Sequence, residues 1–379
     1  MWLKVEPDLA DRYKVSWGID GPDAVTSYHI GTVSIGDAAV AVRAQLDALS
    51  NCAHANPDAY SSNAPEQRAH FRSILRNLAQ AGRALRQALF NDPAKAAEIR
   101  ELQELRTDQY GSGDNVLEIH PDRYLDVPWG LIYDGNVPAL AEHADVEQEM
   151  RDLSGFWCLK YRLSAIVGHH VRAKSKWTRP RETFGMLSLI NHDVKFRLSE
   201  DLPKDLYDEF CEYLNPPVGE PSDLDHCLSL VESTKSVDVL VHFLGHHDKQ
   251  KLVLGDKYQL SYQDFADLLE TLTNREELRN ARPCGLLFLN GCDSAVGEKD
   301  RSLRNQASRP ELCGAIATES KVRRKYAALF GVHFLRRLIR QGKTLSTAMH
   351  ELHHDSALWP ENLLYGCYAH PDFCIGKAT

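Results

Sequence analysis

Cys292 lies in the stretch LLFLNGCDSAVG (286–297) and His246 in VDVLVHFLGHHD (237–248), each just past an apolar run that closes on glycine. A thiol within reach of an imidazole is a nucleophile with its base. The imidazole takes the thiol proton and later returns it to a leaving amine, which is acyl transfer at a peptide bond. Backbone N–H groups of Cys292 and His247 would meet the oxyanion. Gly291 and Ser294, both small, would leave room for a substrate backbone. Taken singly, each reactive residue reads more simply, the cysteine as a buried thiol and the histidine as part of a polar loop. Their matching placement at two run ends favours the chemical reading.

A second stretch competes with the first. Residues 350–354 read His-Glu-Leu-His-His, the short zinc-hydrolase spacing, with His350 and His354 as ligands and Glu351 as base. The extended signature fails, because Ala357 and Pro360 stand where it requires glycine and histidine. Glu361 is the available third ligand, but little chain follows to build a cleft. A solvated helix face is the favoured reading, and His169, His170 and His242 are expected to satisfy local hydrogen bonds. No metal or cofactor is expected.

For Cys292 and His246 to meet, the two apolar runs must be adjacent parallel strands, whose ends lie on the order of 5 Å apart. The second half supports this. Runs GMLSLIN (185–191), VDVLVHFLG (237–245), CGLLFLNG (284–291) and CGAIATE (313–319) alternate with helical stretches, a βαβα rhythm that implies a mostly parallel sheet covered on both faces. Functional groups in such sheets gather beyond the strands' carboxyl ends. The first half has strand-like runs RYKVSWGI and SYHIGTVSI, helices expected over 37–50 and 65–90, an extended run VPWGLIYDG closed by Asp-Gly, and the aromatic run FWCLKYRLSAIVG. A basic, proline-containing stretch, HHVRAKSKWTRPRET (169–183), marks the expected boundary between residues 1–170 and 180–379.

Composition narrows the function classes. A net charge of −9 over 379 residues argues against a general nucleic-acid binder. The nine cysteines, an odd number without short paired spacing, read as reduced thiols in a cytoplasmic protein. No leader-like or membrane-length apolar run is present in the sequence. Nor does a glycine-rich phosphate loop follow any strand-like run, and no helical repeat array is visible.

The strings VHFLGHH and FLNGCDSA resemble the His and Cys motifs of CHAT-domain cysteine peptidases, relatives of caspases and separase. Further landmarks fall in order: VPWGLIYDGN, FWCLKYRL, LVLGDKYQLSYQDFADLL, GAIATESKVRRKYAALFGVHFLRRLIRQGKTLSTAMHEL and LLYGCY. The resemblance covers residues 110–375. It departs from the family pattern at His247, where glycine usually follows the catalytic histidine, at Gly130, where a glutamate is usual, and in lacking Gln-Ala before the cysteine.

The resemblance implies a caspase-like three-layer α/β sandwich with a mostly parallel sheet, its N-terminal lobe a degenerate, non-catalytic caspase-like half. It implies His246 as general base and acid, Cys292 as nucleophile and the His247 amide as oxyanion donor. By the same analogy the pocket before the scissile bond is lined by Asp193, Asn290 and Glu319, whose charge favours cleavage after Arg or Lys. The basic loop EKDRSLRNQASR then offers self-cleavage sites at Arg301, Arg304 or Arg309. The implied setting is a bacterial defence or cell-death pathway, with a separate sensor or activator and a protein substrate such as a pore-forming effector in its pro-form. The alternative is an inactive caspase-like binding or scaffold module.

Overall fold

A computed structural model of the chain describes residues 1–9, 12–19, 23–24, 26–57, 65–90, 97, 115–122, 125–142, 144–166, 178–180, 184–213, 238–248, 251–254, 259–273, 285–296, 306–309 and 312–376. The chain is mixed α/β and divides into two compact units. One comprises Met1–Ile166 with Met349–Gly366, the other Val167–Ala348 with Cys367–Thr379. The first division lies between Ile166 and Val167, just before the stretch 169–183. The return of residues 349–366 to the first unit differs from a contiguous C-terminal lobe.

The first unit is built on a five-stranded sheet in the order β3-β2-β1-β4-β5, with β1 Trp2–Leu9, β2 Arg12–Gly18, β3 Thr26–Gly31, β4 Val116–His120 and β5 Arg162–Ala165. β1–β2 and β2–β3 are antiparallel, while β1–β4 and β4–β5 are parallel. The alternating burial of β3 is the period-2 pattern of a strand with one covered face. Thr32 to Ile35, expected to extend a strand, instead opens α1 (Thr32–Ala55), which packs against α2 (Pro65–Leu89). Ile35, Ala39, Val42, Leu46 and Leu49 are all buried on α1, a helical spacing that overrides the local β-propensity of the Thr-Val-Ser-Ile run. Beyond them, α3 (Val146–Asp152) is capped by the Asp145 carboxylate, which accepts from Gln148 N at 2.7 Å, and α4 is the single turn Trp157–Lys160.

VPWGLIYDG is a tight support rather than an extended run. A 3₁₀ turn occupies Trp129–Leu131, Tyr133 N donates to Gly82 O at 3.2 Å, and Trp157 N donates to Ile132 O at 2.9 Å. A buried charge cluster holds the returning segment: the Glu149 carboxylate accepts from Arg72 Nε at 2.6 Å, Arg68 Nη2 at 3.2 Å and Trp359 Nε1 at 3.4 Å. Burying Glu149 completely is tolerable because these donors replace water.

The second unit holds the strands expected from the βαβα rhythm. β7 (Phe184–Ile190), β8 (Asp238–Asp248), β11 (Gly285–Gly291) and β12 (Leu312–Thr318) run parallel in the order β7-β8-β11-β12, and β13 (Tyr365–Ala369) joins β12. The far end of β8 folds back as a hairpin with β9 (Lys251–Val253), which pairs with β10 (Gln259–Ser261). β11 and β12 are buried at every position, as strands of a doubly covered sheet must be. At Gly314, φ is +129° and an added Cβ would lie 2.3 Å from Tyr368 O, so glycine is what lets β13 approach. A short pair, β6 (Thr178–Pro180) with β14 (Cys374–Gly376), lies apart from this sheet.

The helices of this unit are α5 (His192–Asp201), α6 (Lys204–Tyr213), α7 (Tyr262–Thr273) and α8 (Arg324–Leu335), with α9 (Leu345–His353) crossing into the first unit. α8 packs on β8 and β11 and against α5 and α6. No helix among the described residues is long and apolar enough to cross a membrane.

Candidate active site

The ladder between β8 and β11 runs without a break from Gly285↔Val239 to Gly291↔Gly245. His246 and Cys292 are the next residues of the two chains: His246 pairs with Val253 in the β8–β9 hairpin, and Cys292 opens the turn that follows β11. Residues paired in parallel register share a face, so the row His242/Phe288, Leu244/Asn290 lies on one side of the sheet. That side is the one α8 covers. Phe288 packs on Phe334 at 4.6 Å between ring centroids, and Asn290 Nδ2 donates to Ala327 O at 2.8 Å.

His246 is exposed, while Cys292 is half-buried with its thiol donating to Val322 O at 3.8 Å. Burial pushes the thiol above its ordinary range, and the adjacent Asp293 carboxylate acts in the same direction. This is a protonated thiol at rest. The chain leaves Cys292 through Asp293 at φ +54°, a left-handed position that Asp tolerates. Asp293 N donates to Ser320 O at 3.1 Å, which fastens the turn beside β12.

The space beside Gly291, expected to admit substrate backbone, is occupied by Phe243. A Cβ on Gly291 would lie 2.7 Å from Phe243 Cε1, and one on Gly245 would lie 3.2 Å from Phe243 Cζ. The two paired glycines therefore leave room for the Phe243 ring. Ser294, expected to be merely small, is buried and hydrogen-bonded to Leu289 O at 2.6 Å.

The other nominated residues have different surroundings. His247 lies in the β8–β9 hairpin opposite Leu252. Asp193 is in the first turn of α5, its side chain outside the described residues. Asn290 is buried and its amide ties β11 to α8, while Glu319 is buried just past β12. Arg301 and Arg304 lie outside the described residues. Arg309 is half-buried in a turn, its N–H donating to Gln306 O and its carbonyl accepting from Leu312 N at 3.0 Å.

His242 contradicts the expectation of a locally hydrogen-bonded imidazole: neither ring nitrogen has a hydrogen-bond partner among the described residues. It stacks on Phe288 at 4.8 Å and meets Phe210 edge-on at 5.9 Å. Burial alone lowers its pKa to about 3, so the ring is a neutral aromatic of the core.

In the His-Glu-Leu-His-His stretch, His350 Nδ1 lies 3.2 Å from Tyr161 O and His354 Nδ1 2.9 Å from His350 O. Burial takes His350 down to about 4. His353, the histidine outside the zinc spacing, bonds Tyr365 O at 3.1 Å. No group of three His, Cys, Asp or Glu side chains fit to hold a metal occurs among the described residues.

Sequence reasoning missed two supports. Asn191, buried at the end of β7, accepts from Val194 N at 3.2 Å as the cap of α5 and donates through Nδ2 to Val253 O at 3.0 Å, the residue level with His246. An Asn between an apolar run and a helical run is a cap signal that could have found it. Thr318, the other, faces Ser294 across the Cys292 turn. A scan against protein-family models finds no match. No curated protein matches the chain.

Proposed function

We propose that the chain is a cysteine endopeptidase of the CHAT type, with the three-layer caspase-like fold that resemblance implies. The observation that supports this is the unbroken parallel register between β8 and β11 up to Gly245 and Gly291, the residues directly before His246 and Cys292. In the reaction, the Cys292 thiol leaves Val322 O and passes its proton to His246 as sulfur attacks the peptide carbonyl carbon. The oxyanion is met by the amides of Cys292 and His247. Collapse breaks the C–N bond, His246 returns the proton to the departing amine, and water assisted by His246 then hydrolyses the thioester.

The reading includes a cytoplasmic bacterial enzyme that cuts a protein substrate after a basic residue, such as a pore-forming effector in its pro-form, under the control of a separate activator. Val322 supports a gated enzyme, because its carbonyl engages the thiol that must attack. The same contact favours one second reading, a non-catalytic caspase-like module in which Cys292 stays protonated.

The deciding experiment is labelling of Cys292 by an Arg-directed acyloxymethyl-ketone peptide in wild type and His246→Ala, with and without EDTA. Labelling that survives chelation and is lost in the variant supports the peptidase. Labelling equal in both proteins sinks the dyad.

A further inference from the structure

The turn that carries Cys292 is held from inside by two hydroxyls that face each other across β11 and β12. Ser294 and Thr318 are both fully buried. Ser294 Oγ donates to Leu289 O at 2.6 Å and accepts from Thr318 N at 2.9 Å. Thr318 Oγ1 donates to Gly291 O and accepts from Ser294 N at 3.3 Å. Ala295 N completes the link on Thr318 O at 2.8 Å. Each hydroxyl thus accepts an N–H from the other's segment and donates to a carbonyl, and both accepting carbonyls belong to the strand that leads to the thiol.

We infer that Ser294 and Thr318 form a clamp that positions the nucleophile. Past Gly291 the ladder ends, and the chain must reverse through Asp293 in a left-handed conformation. Backbone groups in this buried turn require partners, and the two hydroxyls supply them. The clamp therefore sets where Cys292 Sγ stands relative to the neighbouring strand end and its imidazole. Thr318 and Ser294 are positioning residues, acting through the backbone of Gly291 and Ser294 and not on the substrate. A small misplacement of a reacting atom is costly in rate, which gives such a clamp its leverage.

The inference rests on the Cys292–His246 reading, and the test separates the two. Iodoacetamide alkylation of Cys292 is followed by mass spectrometry of its peptide, from mildly acid to alkaline pH. The full-length chains are wild type, His246→Ala, Thr318→Val, Thr318→Ser and Ser294→Ala. Thr318→Val, isosteric but without the hydroxyl, is expected to lose the His246-dependent acid limb of the profile and to react about tenfold more slowly at neutral pH. Thr318→Ser, which keeps the oxygen, is expected to restore the limb.

A Thr318→Val profile superimposed on that of wild type overturns the clamp. If that variant does not fold, Ser294→Ala decides: it deletes the contacts to Leu289 O and Thr318 N, and an unchanged profile overturns the inference. A His246→Ala profile identical to wild type overturns the dyad, whereas an altered Thr318→Val profile in that same set keeps the clamp.

Discussion

Two histidine-bearing stretches are rivals for chemistry, and their surroundings differ in one respect. Near the end of β8, His246 is exposed one residue past the ladder that joins β8 to the strand before Cys292. On and just past α9, His350 and His354 each direct Nδ1 to a backbone carbonyl, and their rings meet at a tilt with centroids 4.4 Å apart. A motif's spacing is the same whether its nitrogens face a ligand or are already engaged by the fold. The strand-end histidine is open to solvent, and the helical ones are tied to the backbone.

The largest effect expected from this contrast is on activity. Cys292→Ala and His246→Ala should each lower peptidase turnover by about 10³-fold or more, measured on a basic-residue peptide library. His350→Ala in the same assay should stay within about twofold of wild type. A reversal of that ranking would move the chemistry to α9.

A smaller effect is expected on stability in acid. His242 binds its proton near pH 3 when folded and near its ordinary 6.5 when unfolded. Between those values the unfolded chain holds more protons, so stability present above pH 6.5 is lost as pH falls, by up to about 1.4 kcal/mol per pH unit. His350 and His353, both lowered to about 4, add in the same direction. Denaturant midpoints of wild type and His242→Phe between neutral and acid pH check this, and parallel curves would remove His242 from the account.

Next in size is the glycine pair beneath the site. Gly291→Ala must push the Phe243 ring aside and should destabilise the chain by about 1–3 kcal/mol, read as a lowered Tm. The double variant Gly291→Ala, Phe243→Leu should recover part of the loss. The smallest effect is expected at His354, which is exposed: His354→Ala should shift Tm by under about 1 kcal/mol equivalent, with or without EDTA.

Much of the second unit was legible because its strands are continuous apolar runs alternating with helical stretches, a pattern that points to a mostly parallel sheet. Helix α2 was legible for a similar reason, its apolar residues recurring three and four apart. Thr32–Ile35 was misread because four residues carry too little periodicity to outweigh β-branched propensity, and only the buried stripe of the whole of α1 decides the matter. His242 was misread because a histidine in an apolar run has the same letter whether it bonds a neighbour or stacks on a ring from the next strand.

What the sequence determined by itself is the local grammar: the apolar strand runs of the second half and two reactive residue types at run ends. What only the tertiary structure decided is who meets whom. The register that pairs β8 with β11 as far as Gly245 and Gly291, the Ser294–Thr318 bonds across two strands and the return of Met349–Gly366 to the first unit all join residues distant in sequence. Such contacts depend on sheet order and side-chain packing in three dimensions, and neither is encoded in the spacing of residues along one chain.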